Sequence, residues 1–350
     1  MRYRRRLFCS SLPPRSVRKN CAQFIPFFAI FIMAHIYIYS PSGAVRDLAG
    51  FRRAIKRLQQ RGHTVEIDPD ALTTEQRFAG DDATRIAAIT RAAESGADIA
   101  LLTRGGYGLT RILPQLPYKK IAKAIEKGTQ FVGLSDFTAL QTSLLAKSMP
   151  HPAITWAGNL LIDDWGQSTE PDEITEACFD DMIAGECEGT GWLIPKKELP
   201  ELEHQLQKKP VKNATLWGGN LCVLTSLLGT PYFPQINKGV LFLEDVAEHP
   251  YRIERMLTQL LHAGVLDKQQ AILLGQFTEY QKNAQDKGFN LNTVVQWLRS
   301  QTRTPIITGL PHGHVPTKVL LPVGATVDLQ LHGPDCLLLW GHLCNGHCQH

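Results

Sequence analysis

An open α/β domain built on a parallel sheet, joined to a smaller C-terminal β/α domain, is the fold this sequence predicts. Three observations predict it. From residue 35 onward, short β-branched and aromatic runs alternate with segments of helical period. Residues 99–103 are apolar until the last position, as a strand covered by helices on both faces requires. The alternation then breaks in a polar, Lys-rich stretch and resumes, so the chain divides in two.

In order, residues 36–39 read as the first strand, ending at the turn Ser40-Pro41-Ser42-Gly43. A helix over 45–60 carries Leu48, Phe51, Ile55 and Leu58 at helical spacing and is closed by Gly62. Strands follow at 64–67, 99–103, 130–133 and 153–157, with helices at 82–95 and 137–147 between them. Residues 166–213 hold an acidic helix around 171–184 and then the Lys-rich stretch 195–212, and read as an interdomain connection. The second unit has strands at 239–243 and 271–277, helices at 249–263 and 291–303, and short strands at 306–308, 319–321, 327–331 and 336–340. This gives an N-terminal domain over 34–165 and a C-terminal domain over 214–341. A cleft between two such domains, or beyond the carboxyl ends of the strands, is where a small ligand binds.

Charge excludes one partner class. Of the 37 Lys and Arg, seven fall in residues 1–32 (Arg2, Arg4, Arg5, Arg6, Arg15, Arg18, Lys19), which contain no acid. The remainder is slightly acidic and has no basic stripe for nucleic acid. The eight cysteines follow no disulfide spacing and read as reduced thiols in a cytoplasmic protein. The segment 1–33 pairs a basic stretch with the apolar run 24–34, which resembles a signal sequence but abuts the first strand directly. Met33 suits an initiator, so 1–33 reads as an upstream extension. The alternative is an export or anchoring segment, which would place the protein in the periplasm or on a membrane. The tail 342–350, with its Cys and His residues, reads as exposed rather than as a zinc site, for it lacks a second ligand cluster.

Three places combine reactive side chains with strand ends. Ser135, in Gly133-Leu134-Ser135-Asp136-Phe137, sits at a strand-to-helix turn, where the next amide is free to bind an oxyanion. Phe137 departs from the Gly-x-Ser-x-Gly elbow, and a plain helix cap is the competing reading. Arg104-Gly105-Gly106-Tyr107-Gly108 follows the third strand. It is an oxyanion loop, a glycine turn or a phosphate cradle, although its spacing is neither a P-loop nor a dinucleotide fingerprint. Glu244 ends a strand, and His314 lies in Gly309-Leu310-Pro311-His312-Gly313-His314. A serine needs a base, and the base needs a carboxylate behind it. Glu244, Asp245 and Glu248 all compete for that place. Glu248 suits the N-terminal end of the following helix better. His312 and His314 without a clear third ligand make a weak metal pair.

Taken together, these segments, with Leu216-Trp217-Gly218-Gly219-Asn220-Leu221 and His249-Pro250-Tyr251-Arg252-Ile253-Glu254-Arg255-Met256-Leu257, resemble the bacterial LD-carboxypeptidases over about residues 35–341. The resemblance implies a flavodoxin-like N-terminal half, a homodimer, and no metal or organic cofactor. It implies Ser135 as nucleophile, His314 as general base and acid, Glu244 as its partner, and the amides of Gly106 and Asp136 as oxyanion hole. The implied substrate is a muropeptide tetrapeptide that loses its terminal D-alanine in cell-wall recycling. The released carboxylate needs a cation, for which Arg104 is the candidate, while Trp217 and Asn220 are expected to line the cleft, with packing between the domains as an equal reading for Trp217. Two rivals are a microcin C immunity-type peptidase of the same fold, which needs an aromatic nucleotide site, and a non-catalytic peptide-binding protein.

Overall fold

The computed structural model describes residues 33–343, so most of the extension 1–33 and of the tail 342–350 lies outside the described residues. The first half is a three-layer arrangement. Its strands are β1 (His35–Tyr39), β2 (Thr64–Ile67), β3 (Ile99–Leu102), β4 (Gln130–Gly133) and β5 (Thr155–Ala157). They lie in the order β2-β1-β3-β4-β5, all parallel, which is the flavodoxin-like order with its topological switch between β1 and β3. Both faces are covered by α1 (Leu48–Gln60), α2 (Asp82–Glu94), α3 (Leu109–Ile112), α4 (Tyr118–Glu126) and α5 (Phe137–Ser148). Hence β3 and β4 are buried at every residue, as their apolar runs require. Helix α1 starts where the Asp47 carboxylate accepts the Gly50 N–H, and it turns Phe51, Ala54, Ile55 and Leu58 to the core.

The second half contains α6 (Glu173–Ala184), β6 (Gly189–Leu193), α7 (Leu199–Lys208), β7 (Val211–Asn220), α8 (Leu221–Ser226), β8 (Val240–Val246), α9 (Pro250–His262), β9 (Ala271–Thr278), α10 (Leu291–Gln301), β10 (Ile306–Ile307), β11 (Leu321–Val323), β12 (Thr326–His332) and β13 (Asp335–Leu339). Its sheet runs β10-β9-β8-β7-β12-β13-β6, parallel from β10 to β7 and antiparallel beyond.

Helices α3, α4 and α8 fall where no helix was expected, and β11, expected in the second unit, joins the first sheet. Two further features differ from the sequence expectation. The segment 166–213, expected as a connection, carries α6, β6 and α7, and β6 pairs with β13 along its whole length. Its sequence Gly-Thr-Gly-Trp-Leu lacks a strand's period, and α7 buries only Leu202, so both read as polar connection. The other difference is β7, a ten-residue strand near the middle of the second sheet, hidden in sequence by Gly218 and Gly219. These glycines adopt φ of 135° and 134°. A Cβ at Gly219 would stand 2.4 Å from Thr138 Oγ1, so only glycine lets α5 approach this strand.

The two halves are also stitched by exchange. β11, from the C-terminal half, pairs antiparallel with β5 of the first sheet. The buried apolar side chains of both sheets form one continuous cluster. Among the described residues, no helix is long and apolar enough to cross a membrane. Cys178, Cys187, Cys222 and Cys336 are free thiols.

Candidate active site

Strand β4 ends at Gly133, and two residues later Ser135 has φ of +67°, the left-handed region that a side-chain-bearing residue enters at a cost. Asp136 then returns to helical dihedrals as the N-cap of α5. This is the geometry of an elbow rather than of a capping serine. Among the described residues the Ser135 hydroxyl makes no hydrogen bond to the helix or to anything else. Gly105 lies against it: a Cβ there would stand 2.6 Å from Ser135 Cβ and 2.8 Å from Oγ. The glycine loop after β3 and the serine turn after β4 are therefore in contact, as adjacent parallel strands place them.

Asp136 ties this corner together. Its buried Oδ2 accepts the Ser42 hydroxyl at 2.5 Å and the Leu109 N–H at 2.9 Å. The carboxylate thereby joins the turn after β1, the start of α3 and the serine elbow. Burial raises its pKa, and the two donors pull in the opposite direction. Gly43 N–H also donates to the Gly105 carbonyl at 3.3 Å. The amides of Gly106, with φ of +118°, and Asp136 belong to this braced corner.

His314 sits in a loop without regular structure, yet its ring is firmly placed. Its Nδ1 lies 2.8 Å from Glu244 Oε2. A carboxylate can only accept, so Nδ1 carries the hydrogen and Nε2 is the basic nitrogen of the neutral ring. Glu244 is fully buried at the end of β8, in parallel register with Asn220 of β7. The Asn220 amide donates to Glu244 Oε1 at 3.2 Å and to Asp245 Oδ1 at 2.8 Å, while its oxygen accepts the Val223 N–H. Asp245 is further held by the Cys222 and Val246 amides, and burial pushes its pKa up to about 6. Glu248 is occupied by Arg252. Of the three carboxylates that compete for His314 in sequence, Glu244 makes the contact. For His314, burial works to lower the pKa. The hydrogen bond and charge of Glu244, with Asp163 and Asp245, outweigh it, so the net shift is upward from 6.5.

Two expected cleft residues are corrected. Trp217 is 1 % exposed, donates its indole N–H to Gln269 Oε1 at 2.9 Å and packs edge-on against Phe233. It belongs to the second core, because its position in β7 faces that core. Asn220 is 4 % exposed and spends its polar atoms on the two carboxylates and the α8 amide, so it supports the site from behind. Arg104 does lie at the surface of the site: it lines a cleft of about 290 Å³ with Gly43, Arg46, Arg77, Gly106 and Tyr107. A larger cleft, about 740 Å³, opens where β3 and β4 begin, at the opposite end of the sheet from Ser135. His312 is buried against Phe242, with Nδ1 3.0 Å from the Val319 carbonyl and its pKa pushed down to about 4 by burial. Among the described residues no group of three or more His, Cys, Asp or Glu side chains is placed to hold a metal ion.

Comparison with known sequences and folds decides the family. The sequence profile of the LD-carboxypeptidase N-terminal domain matches residues 36–151, and that of the LD-carboxypeptidase C-terminal domain matches residues 213–329. The chain belongs to the LD-carboxypeptidase family. It is 37 % identical to the muramoyltetrapeptide carboxypeptidase of Oxalobacter formigenes, whose crystal structure it matches with a TM-score of 0.76 over 88 % of this chain and 98 % of that one. It is 29 % identical to a murein tetrapeptide carboxypeptidase of Pseudomonas aeruginosa, over 65 % of this chain and 70 % of the relative. The microcin C7 self-immunity protein of Escherichia coli is 28 % identical, over 65 % of this chain and 70 % of that protein.

Proposed function

We propose that this LD-carboxypeptidase family member is a serine hydrolase that releases the terminal D-alanine from muropeptide tetrapeptides in peptidoglycan recycling. The observation that carries the reading is the buried Glu244–His314 hydrogen bond through Nδ1, which leaves Nε2 as a base for a serine held at an elbow. Ser135 Oγ attacks the carbonyl carbon of the residue before D-alanine as its proton passes to His314 Nε2. The carbonyl oxygen becomes an oxyanion, received by the amides of Gly106 and Asp136. His314 then returns the proton to the departing amine nitrogen, and the C–N bond breaks. Water, deprotonated by the same imidazole, attacks the acyl-serine, and the proton finally restores the Ser135 hydroxyl. Glu244 stabilises the imidazolium in both halves. The Ser135–His314 hydrogen bond belongs to the substrate complex, where such contacts tighten.

The murein carboxypeptidases among the relatives support the substrate class. An aminoacyl-nucleotide substrate, as for the microcin rival, requires an aromatic platform; Trp217 is committed to the core, and the exposed Tyr107 is engaged by Arg77 and Phe78. The family resemblance extends the reading to a cytoplasmic homodimer, testable by sedimentation and cell fractionation. The decisive experiment is incubation of the purified chain with tetrapeptide and pentapeptide muropeptides, read by mass spectrometry. Loss of alanine from the tetrapeptide, abolished by Ser135→Ala, is expected. Equal release by the folded variant overturns the mechanism.

A further inference from the structure

The cleft of about 290 Å³ beside the glycine loop is lined by three arginines and no acid: Arg46, Arg77 and Arg104, with Gly43, Gly106 and Tyr107. Each comes from a different stretch of chain, so this concentration of charge is a product of the fold. Arg104 follows β3, and its guanidinium is wedged against the turn after β1. A Cβ on Gly43 would stand 2.4 Å from its Nη1, and one on Gly106 would stand 3.3 Å away. Among the described residues its one hydrogen bond is a long one, 3.4 Å, from Nη1 to the Ala44 carbonyl. Arg77 stands with its guanidinium 5.6 Å from the centre of the exposed Tyr107 ring, and its carbonyl accepts the Ala44 N–H at 3.0 Å. Tyr107 is backed in turn by Phe78. The loop is thus arranged to hold a cation over an aromatic face at the mouth of the cleft.

The contrast with the other arginines of this half is the telling point. Arg53, Arg57, Arg61, Arg85, Arg91 and Arg111 are each engaged by carboxylates or carbonyls, and Arg52 stands on the exposed face of α1, away from the arginines of the cleft. Among the described residues, neither Arg46, Arg77 nor Arg104 forms an ion pair. Three guanidiniums brought together without an anion repel one another, and their forked donors are matched to a carboxylate. The cleft shares Gly106 with the corner that contains Ser135, so a group bound there lies next to the reacting carbonyl.

We propose that Arg46, Arg77 and Arg104 form a carboxylate-binding subsite that recognises a negatively charged end of the substrate beside the scissile bond. This rests on the hydrolase reading above and adds to it two residues and a selectivity. A subsite of this kind selects for charge: a substrate carrying the carboxylate is bound more tightly than one in which it is amidated or absent. Two sources offer the same chemistry, the α-carboxylate of the terminal D-residue and a side-chain carboxylate on the residue before it.

The test measures kcat and KM for wild type, Arg46→Ala, Arg77→Ala and the double variant, with thermal midpoints to verify folding. The substrates are a tetrapeptide with a free C-terminus, its C-terminal amide, and a pair differing in the side-chain carboxylate before D-alanine. Each single variant is expected to raise KM for the free acid about tenfold to a hundredfold with kcat preserved, as loss of a charge-assisted contact does. The amide should be insensitive to the same substitutions, which assigns the α-carboxylate. The same pattern confined to the side-chain pair assigns the other source and equally supports the subsite. In Ser135→Ala protein, Arg46→Ala and Arg77→Ala should weaken tetrapeptide binding, measured by calorimetry, by the same factor. Folded variants with unchanged KM and binding on every substrate overturn the subsite while leaving the hydrolase reading intact. Wild type that cleaves none of the peptides overturns that reading itself, and unaltered peptide binding by the Ser135→Ala arginine variants then removes the subsite as well.

Discussion

The serine corner and the histidine loop hold their side chains in different ways. Ser135 is carried by a local element: a four-residue strand, a two-residue turn and a helix start put it at the sheet end, and Gly105 after the adjacent strand, with Asp136 bonded to Ser42 and Leu109, braces it. His314 has no such element under it. Its loop is pinned from outside, by Gln276 N–H to the His312 carbonyl at 2.9 Å, Gln276 Nε2 to the Leu310 carbonyl at 3.0 Å, and Thr278 Oγ1 to the His314 carbonyl at 3.3 Å. At its far end, Lys318 makes a buried ion pair with Asp164, in the single π-helical turn Leu161–Trp165 of the first half. The serine side of the site thus rests on a regular element of its own, which distant residues brace. The histidine side is encoded by distant residues, and damage to it should cost stability as well as rate.

The largest effects test the reacting groups. Ser135→Ala should lower kcat by on the order of 10⁵-fold or more, with the thermal midpoint near that of wild type. Glu244→Gln should cost about 10⁴-fold in kcat, because the imidazolium loses its counter-charge. Asp245→Asn and Glu248→Gln should do less, since neither touches His314. Side-by-side kinetics with thermal midpoints decide the order, and a folded Asp245→Asn more damaged than Glu244→Gln would reverse the assignment.

The next two separate the regions. Lys318→Met leaves Asp164 buried without its partner, so unfolding by denaturant should show a loss of about 3–5 kcal/mol. The His314 loop is tethered there, so kcat should fall with stability. Gly105→Ala, by contrast, pushes a methyl into Ser135 Cβ at 2.6 Å. A displaced nucleophile costs about 10²-fold in kcat, and because Gly105 is buried the clash also costs about 1–3 kcal/mol of stability, less than the buried ion pair does. If the two variants show the same ratio of lost rate to lost stability, the contrast between the two sides of the site fails.

The same contrast explains what was legible in the sequence. The first sheet was readable because β1 and β3 are aromatic or apolar runs and α1 keeps its period, and Ser135 lay where a strand gave way to a helix; the short helices α3 and α4 were missed. In the second half, β7 escaped because Gly218 and Gly219 look like loop, although they mark the close approach of α5. Trp217 and Asn220 were assigned to a cleft because their strand, and hence the face each presents, was missing from the reading. The choice of Glu244 over Asp245 came from resemblance. In the structure it rests on the Glu244–His314 contact, which alternation along β8 does not reveal, and the β8–β9 ladder shifts register between Leu243 and Asp245. The arginine cleft was half visible, through Arg104. Arg46 and Arg77 join it by tertiary contact alone.

The smallest effect is a shift in pH dependence, and it reads the His314 environment directly. The neutral ring is needed as base, so kcat/KM should fall on the acid side with an apparent pKa above the ordinary 6.5, the direction that Glu244, Asp163 and Asp245 impose against burial. Glu244→Gln removes the largest of the opposing causes and should move the residual activity's acid limb to lower pH. Asp163→Asn, which leaves the hydrogen bond intact, should move it the same way by less. Stability runs oppositely. A histidine whose folded pKa is raised stabilises the protein fully below the unfolded value, and that contribution is lost as pH rises through the folded pKa. The wild-type advantage over Glu244→Gln in thermal midpoint should therefore be largest below the ordinary histidine pKa and shrink as pH rises through the raised folded one. Activity and this share of stability trade places across one titration. Thermal scans and initial rates on the same buffers measure both, and an acid limb unmoved by Glu244→Gln would detach the imidazole from the carboxylate that the fold buries behind it.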